Sequence, residues 1–164
     1  MQQRRWMFVW IIGVLLCLAA VAQAQQATTS GGSGQALLNL DNTVALHGYD
    51  PVAYFTESEA VAGRKNIFER LGGATYRFAS RANKYTFLTD APKFQPQFGG
   101  YCATALSMGR LEDINPEEFA IYNGKLYVFR DGQARAVFLN APGRISYEAE
   151  QNYFRMASKK RESY

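Results

Sequence analysis

Apolar and polar positions along the chain fall twice into the same order, a pair of short alternating runs followed by a helical stripe. Asn66 to Leu71 and Ala74 to Phe78 flank Gly72-Gly73, a two-residue link whose positive-φ tolerance suits a hairpin. That register sets Ile67 opposite Phe78 and Glu69 opposite Tyr76 on one face, with Phe68 opposite Arg77 on the other. Ser80 stands as an N-cap, and Tyr85 and Leu88 recur at helical spacing before Pro92, so a helix is predicted from about Arg81 to Thr89. Pro92 to Pro96 reads as a loop.

The second unit is signalled more sharply. Phe119 to Tyr122 and Lys125 to Phe129 bracket Asn123-Gly124, with Ile121 facing Leu126 and Phe119 facing Val128. Asp131 caps a helix marked by Ala134, Val137 and Phe138 and broken near Asn140 and Pro142; a last helix carries Ile145, Ala149 and Tyr153 on one stripe. Between the units, Gly99-Gly100 turns the backbone before Tyr101-Cys102, and Cys102, Ala103, Ala105 and Leu106 open a short helix ending at Gly109. Asp50-Pro51 sets a tight corner in VALHGYDPVAYF. The predicted architecture is α+β, a small antiparallel sheet built from two β-hairpins with three or four packed helices.

The N-terminal pattern is of a different kind. Arg4 and Arg5 precede the uncharged run Trp6 to Val21, and Ala22-Gln23-Ala24 supplies a small-residue cleavage site, so residues 1–24 read as a secretory signal peptide. An uncleaved leader is the one membrane contact this pattern allows. Residues 25–36 are a Gly/Ser-rich disordered spacer, residues 37–158 the domain, and 159–164 a basic, solvated tail. The expected location is periplasmic or secreted.

Charge narrows the partners. The chain has 18 Lys and Arg against 14 Asp and Glu, and two of the bases fall in the leader, leaving the domain an excess of two positive charges. That is too little for a nucleic-acid binder. Cys17 leaves with the leader, so Cys102 is the domain's only thiol and His47 its only imidazole. A lone cysteine in an oxidising compartment is buried, paired with another molecule or reactive.

Three blocks, GYDPVAYF from Gly48 to Phe55, TYRFAS from Thr75 to Ser80 and PQFGGYCA from Pro96 to Ala103, together resemble the YHS domain family, in its exported, single-domain bacterial-type branch. The likeness spans about Val44 to Phe154. It implies a link to copper or similar soft metals, since the family's smaller core occurs in copper-transporting ATPases and related metal-handling proteins. Many exported members have no assigned activity. The metal-handling branch resembles Asp-Pro-Val-Cys where this chain has Ala53 after Val52, and Phe-Cys-Ser where Phe78 is followed by Ala79 and Ser80. The family's cysteine ligands are therefore missing, and copper or zinc would rest on His47 and Cys102, with Met108 or a carboxylate.

Two readings stay open. One is a non-catalytic exported module binding a small ligand, a metal ion or a partner protein through Tyr49, Asp50, Tyr101 and Cys102. The other is a thiol-dependent enzyme in which Cys102 works with His47, the imidazole oriented by a group such as Asp50. Asp50 is also expected to hydrogen-bond the turn it initiates, and Asp113, Glu117 and Glu118 read as an acidic loop. No P-loop, dinucleotide fingerprint or HExxH motif is present.

Overall fold

The computed structural model describes residues 37–162. The expected leader and spacer, residues 1–36, and the last two residues lie outside that range. Its order is β1 (Leu40–Asp41), β2 (Val44–Ala45), a 3-10 turn (Leu46–Gly48), α1 (Ala53–Thr56), β3 (Arg64–Leu71), β4 (Ala74–Phe78), α2 (Arg81–Thr89) and α3 (Ala91–Phe94). A second 3-10 turn (Gln97–Gly100), α4 (Ala103–Ser107), β5 (Asn115–Tyr122), β6 (Lys125–Phe129), α5 (Gly132–Asn140) and α6 (Pro142–Glu162) follow.

The fold is α+β, but the two hairpins do not share a sheet. The first lies in a four-stranded sheet of order β1-β2-β4-β3, in which β2 pairs parallel with β4, so this sheet is mixed rather than antiparallel. The second is a sheet of its own, touched by the first half through an isolated bridge between Pro96 and Leu126. Both glycine-bearing turns form where expected: Gly72 and Gly73 have φ of 60° and 87°, and Asn123 and Gly124 have 50° and 70°.

Register near the first turn also matches, with Phe68 opposite Arg77 and Glu69 opposite Tyr76. Farther along it does not. A bulge between Arg64 and Phe68 brings Arg64, not Ile67, opposite Phe78. In the second hairpin Ile121 faces Leu126 and Phe119 faces Val128.

Helices α2 and α5 each begin on a side-chain cap. Ser80 Oγ accepts from the Asn83 amide at 3.0 Å and Asp131 Oδ1 from the Ala134 amide at 2.7 Å, satisfying donors that a helix start leaves free. Pro92 sits in the first turn of α3, where its missing N–H costs nothing, so the expected loop is a short helix. The basic end belongs to α6, which runs through Lys159 and Lys160 to Glu162. Among the described residues no helix is long and apolar enough to cross a membrane.

The core has two centres. Phe87 of α2 stacks on Tyr76 and Phe78 at 4.9 and 5.2 Å between centroids, burying the inner face of the first sheet. Phe138 of α5 does the same for the second, 4.8 Å from Tyr127 and 5.1 Å from Phe129. Phe55 packs against both centres. It is Phe87 that faces the core from α2; Tyr85 and Leu88, the stripe read from the sequence, are 68% and 50% exposed.

Gly99 closes the N-terminal edge of the domain. At φ 63° its carbonyl accepts the Asn39 amide, and a Cβ there would collide with the Leu37 carbonyl. Gly72 has a similar φ of 60° but open space around it. Gly99→Ala therefore combines left-handed strain with a backbone clash, while Gly72→Ala meets the strain alone, about 1–2 kcal/mol. Urea unfolding of both should place Gly99→Ala well below Gly72→Ala; equal midpoints would mean the Leu37 segment shifts without cost.

Candidate functional site

The chain leaves β2 through three consecutive left-handed residues, Leu46, His47 and Gly48, at φ 53°, 50° and 89°. For Leu46 and His47 this is an uncommon backbone, costing on the order of 1–3 kcal/mol each. Burial of Leu46, 2% exposed, offsets part of it. Gly48 suits its φ of 89°, and a Cβ there would stand 3.1 Å from Arg77 Nη1, a tight contact with the end of that side chain. A second left-handed run, Phe98, Gly99 and Gly100 at 55°, 63° and 84°, precedes Tyr101.

Asn39 and Asp113 tie the two runs together. The Asn39 side-chain amide donates to the Gly100 carbonyl at 3.0 Å and to Asp113 Oδ1 at 2.8 Å. His47 Nε2 lies 2.8 Å from the same oxygen, which also accepts the Ile114 amide at 2.8 Å. An ionised carboxylate only accepts, so Nε2–H is the donor in this contact. Burial works to raise the Asp113 carboxyl, but the hydrogen bonds from Asn39, the Ile114 amide and His47, with the His47 charge, hold it below the usual range. The pair is open to solvent, with 30% of the His47 side chain and 67% of the Asp113 side chain exposed. Among the described residues nothing donates to Asp113 Oδ2 and nothing bonds His47 Nδ1.

Tyr101 borders this cluster. Its hydroxyl donates to the Leu38 carbonyl at 3.2 Å, and burial, followed by the Asp113 charge, pushes the phenol upward. Tyr49 is half-buried against the core cluster of the second hairpin. Asp113 was readable only as part of an acidic loop; it lies 66 residues from His47, and no spacing rule reaches that far.

Asp50 is elsewhere and does other work. It is fully buried; Oδ1 accepts the Val52 amide at 2.9 Å, and Oδ2 accepts the Ala79 amide at 2.8 Å and Asn83 Nδ2 at 2.7 Å. The group that orients His47 is thus Asp113 and not Asp50. Nearby Tyr54, also buried, donates to the Pro116 carbonyl at 2.9 Å, and burial raises its phenol well above the ordinary value, helped by Tyr49, Asp50 and Glu117.

Cys102 is a core residue, 0% exposed at the start of α4, its amide donating to the Glu112 carbonyl at 3.1 Å. Among the described residues no hydrogen bond reaches its sulfur, and the His47 nitrogen nearest a partner is engaged by Asp113. The thiolate–imidazole contact that the enzyme reading requires is not formed. Nor do the described residues gather three or more His, Cys, Asp or Glu around one point, and Met108 is 56% exposed. A closed copper or zinc centre does not fit this donor set.

Cys102 in the folded protein should therefore react with iodoacetamide at least about 100-fold more slowly than in urea. Equal rates would put the thiol at the surface. No family model, curated protein or solved structure matches the chain.

Proposed function

We infer that the protein is an exported, non-catalytic binding module of the YHS type that captures a small cation transiently at His47 and Asp113. The observation that carries this reading is the crowding of Asp113 Oδ1, which takes three hydrogen bonds, while Asp113 Oδ2 and His47 Nδ1 have no hydrogen-bond partner among the described residues and both side chains are partly exposed. A histidine whose other nitrogen is held by a carboxylate is oriented, the arrangement that suits imidazole for a ligand. Two strained left-handed turns meeting at this point support the same reading, because strain concentrates where a scaffold over-determines a working geometry. Tyr101 lies at the edge, and Cys102 acts from within the core as packing, not as a donor.

Two protein donors give a loose hold. The cation is a borderline metal ion such as zinc or copper, completed by water, or an organic ammonium group. Titrating the domain with zinc chloride and separately with methylammonium, read on the imidazole nitrogen resonances of His47, distinguishes them. One of the two should saturate with a dissociation constant of about a millimolar, and Asp113→Asn should abolish the response while Cys102→Ala keeps it. Resonances that ignore both probes, or binding that survives Asp113→Asn, would overturn the assignment.

A further inference from the structure

β3 ends its sheet: among the described residues it pairs with β4 on one side and with no strand on the other. Such an edge displays unpaired backbone donors and acceptors. Along it runs a groove of about 480 Å³ whose lining includes Phe68, Glu69, Arg70, Arg81, Lys84 and Tyr85. The far wall is α2. Arg81, Lys84, Tyr85 and Leu88 follow one another at positions i, i+3, i+4 and i+7 and so occupy one face of that helix, turned away from the core that Phe87 fills. This is the stripe that the sequence displays and the core does not use.

The edge is occupied by side chains standing in for a strand. Lys84 Nζ donates to the Phe68 carbonyl at 2.8 Å, and Glu69 Oε1 accepts the Arg70 amide at 3.2 Å. Lys84 and Glu69 are themselves paired at 3.1 Å. Exposed apolar surface flanks them: Phe68 is 38% exposed, Leu71 41% and Tyr85 68%. The Arg70 guanidinium lies 5.2 Å from the centroid of the Phe68 ring.

Charge selects the occupant. Arg70, Arg81 and Lys84 face the groove with Glu69 as the one acid among its lining residues. β3 itself carries Arg64, Lys65 and Arg70 against Glu69, so a second copy of this strand would bring like charge to like charge. We propose that the free edge of β3 receives an extended acidic segment of a partner protein as an added strand, its carboxylates turned toward Arg81 and Lys84 and its apolar side chains toward Phe68. On docking, Lys84 Nζ leaves the Phe68 carbonyl for a partner carboxylate, and the carbonyl accepts a backbone amide instead. This surface is separate from the His47–Asp113 cluster and does not depend on it.

The probe is a capped peptide of β3's length alternating glutamate with valine, titrated into the domain with amide exchange and chemical shifts followed at Phe68 and Arg70. The expected result is saturable binding that weakens with added salt, slowed exchange at the β3 amides, and an affinity loss of at least about tenfold in Arg81→Glu/Lys84→Glu. These substitutions lie on an exposed helix face, and circular dichroism checks that they fold. A peptide of the same sequence methylated at alternate backbone nitrogens should lose binding equally. Equal binding of a lysine-valine peptide, indifference to backbone methylation, or protection of the Phe68 amide by concentration-dependent dimerisation of the domain alone would each overturn the proposal.

Discussion

A single buried carboxylate holds the two halves of the first sheet region together. Asp50, 0% exposed, closes its own turn through the Val52 amide and reaches across to the Ala79 amide and the Asn83 side chain at the start of α2. Three donors surround the two oxygens, which is what makes burial of a charged group tolerable. Removing the carboxylate would orphan all three. The turn at Pro51, the exit of β4 and the capped start of α2 thus share one constraint, and the Phe87 ring is delivered to Tyr76 and Phe78 because of it.

The three sequence blocks acquire a physical meaning from this arrangement. GYDPVAYF and TYRFAS are joined by Asp50. The third, PQFGGYCA, is stitched to the N-terminal segment by Asn39 on Gly99 and Gly100, and from there to His47 through Asp113. The aspartate of the first block acts as a clamp. The histidine just before that block, oriented by a carboxylate from outside all three, is left facing solvent. Two aspartates that look alike in the sequence thus stand in different surroundings, Asp50 buried among three donors and Asp113 largely exposed beside His47.

Local chemistry was the legible part. Gly72-Gly73 and Asn123-Gly124 announced both hairpins, and Ser80 and Asp131 announced both capped helices, because each signal acts within a few residues. What failed was non-local. The bulge that sets Arg64 against Phe78, the parallel pairing of β2 with β4, and the separation of the hairpins into two sheets depend on contacts that no window contains. Tyr85 and Leu88 show the converse error: helical spacing identified a face of α2 correctly but not which side of the helix it lay on, since Phe87 alone outweighs them in the core. The Asp113 partner of His47 was invisible for the same reason, a contact between distant segments.

A buried carboxylate with three donors and an exposed one beside a histidine should contribute very differently to stability, and one comparison tests this. Urea unfolding of Asp50→Ala should show a loss of about 3 kcal/mol or more, from orphaned buried donors, with faster exchange at the Ala79 amide. Asp113→Asn, at an exposed pair, should lose less than about 1 kcal/mol. An Asp50→Ala protein as stable as the parent, or an Asp113→Asn protein that unfolds first, would contradict it.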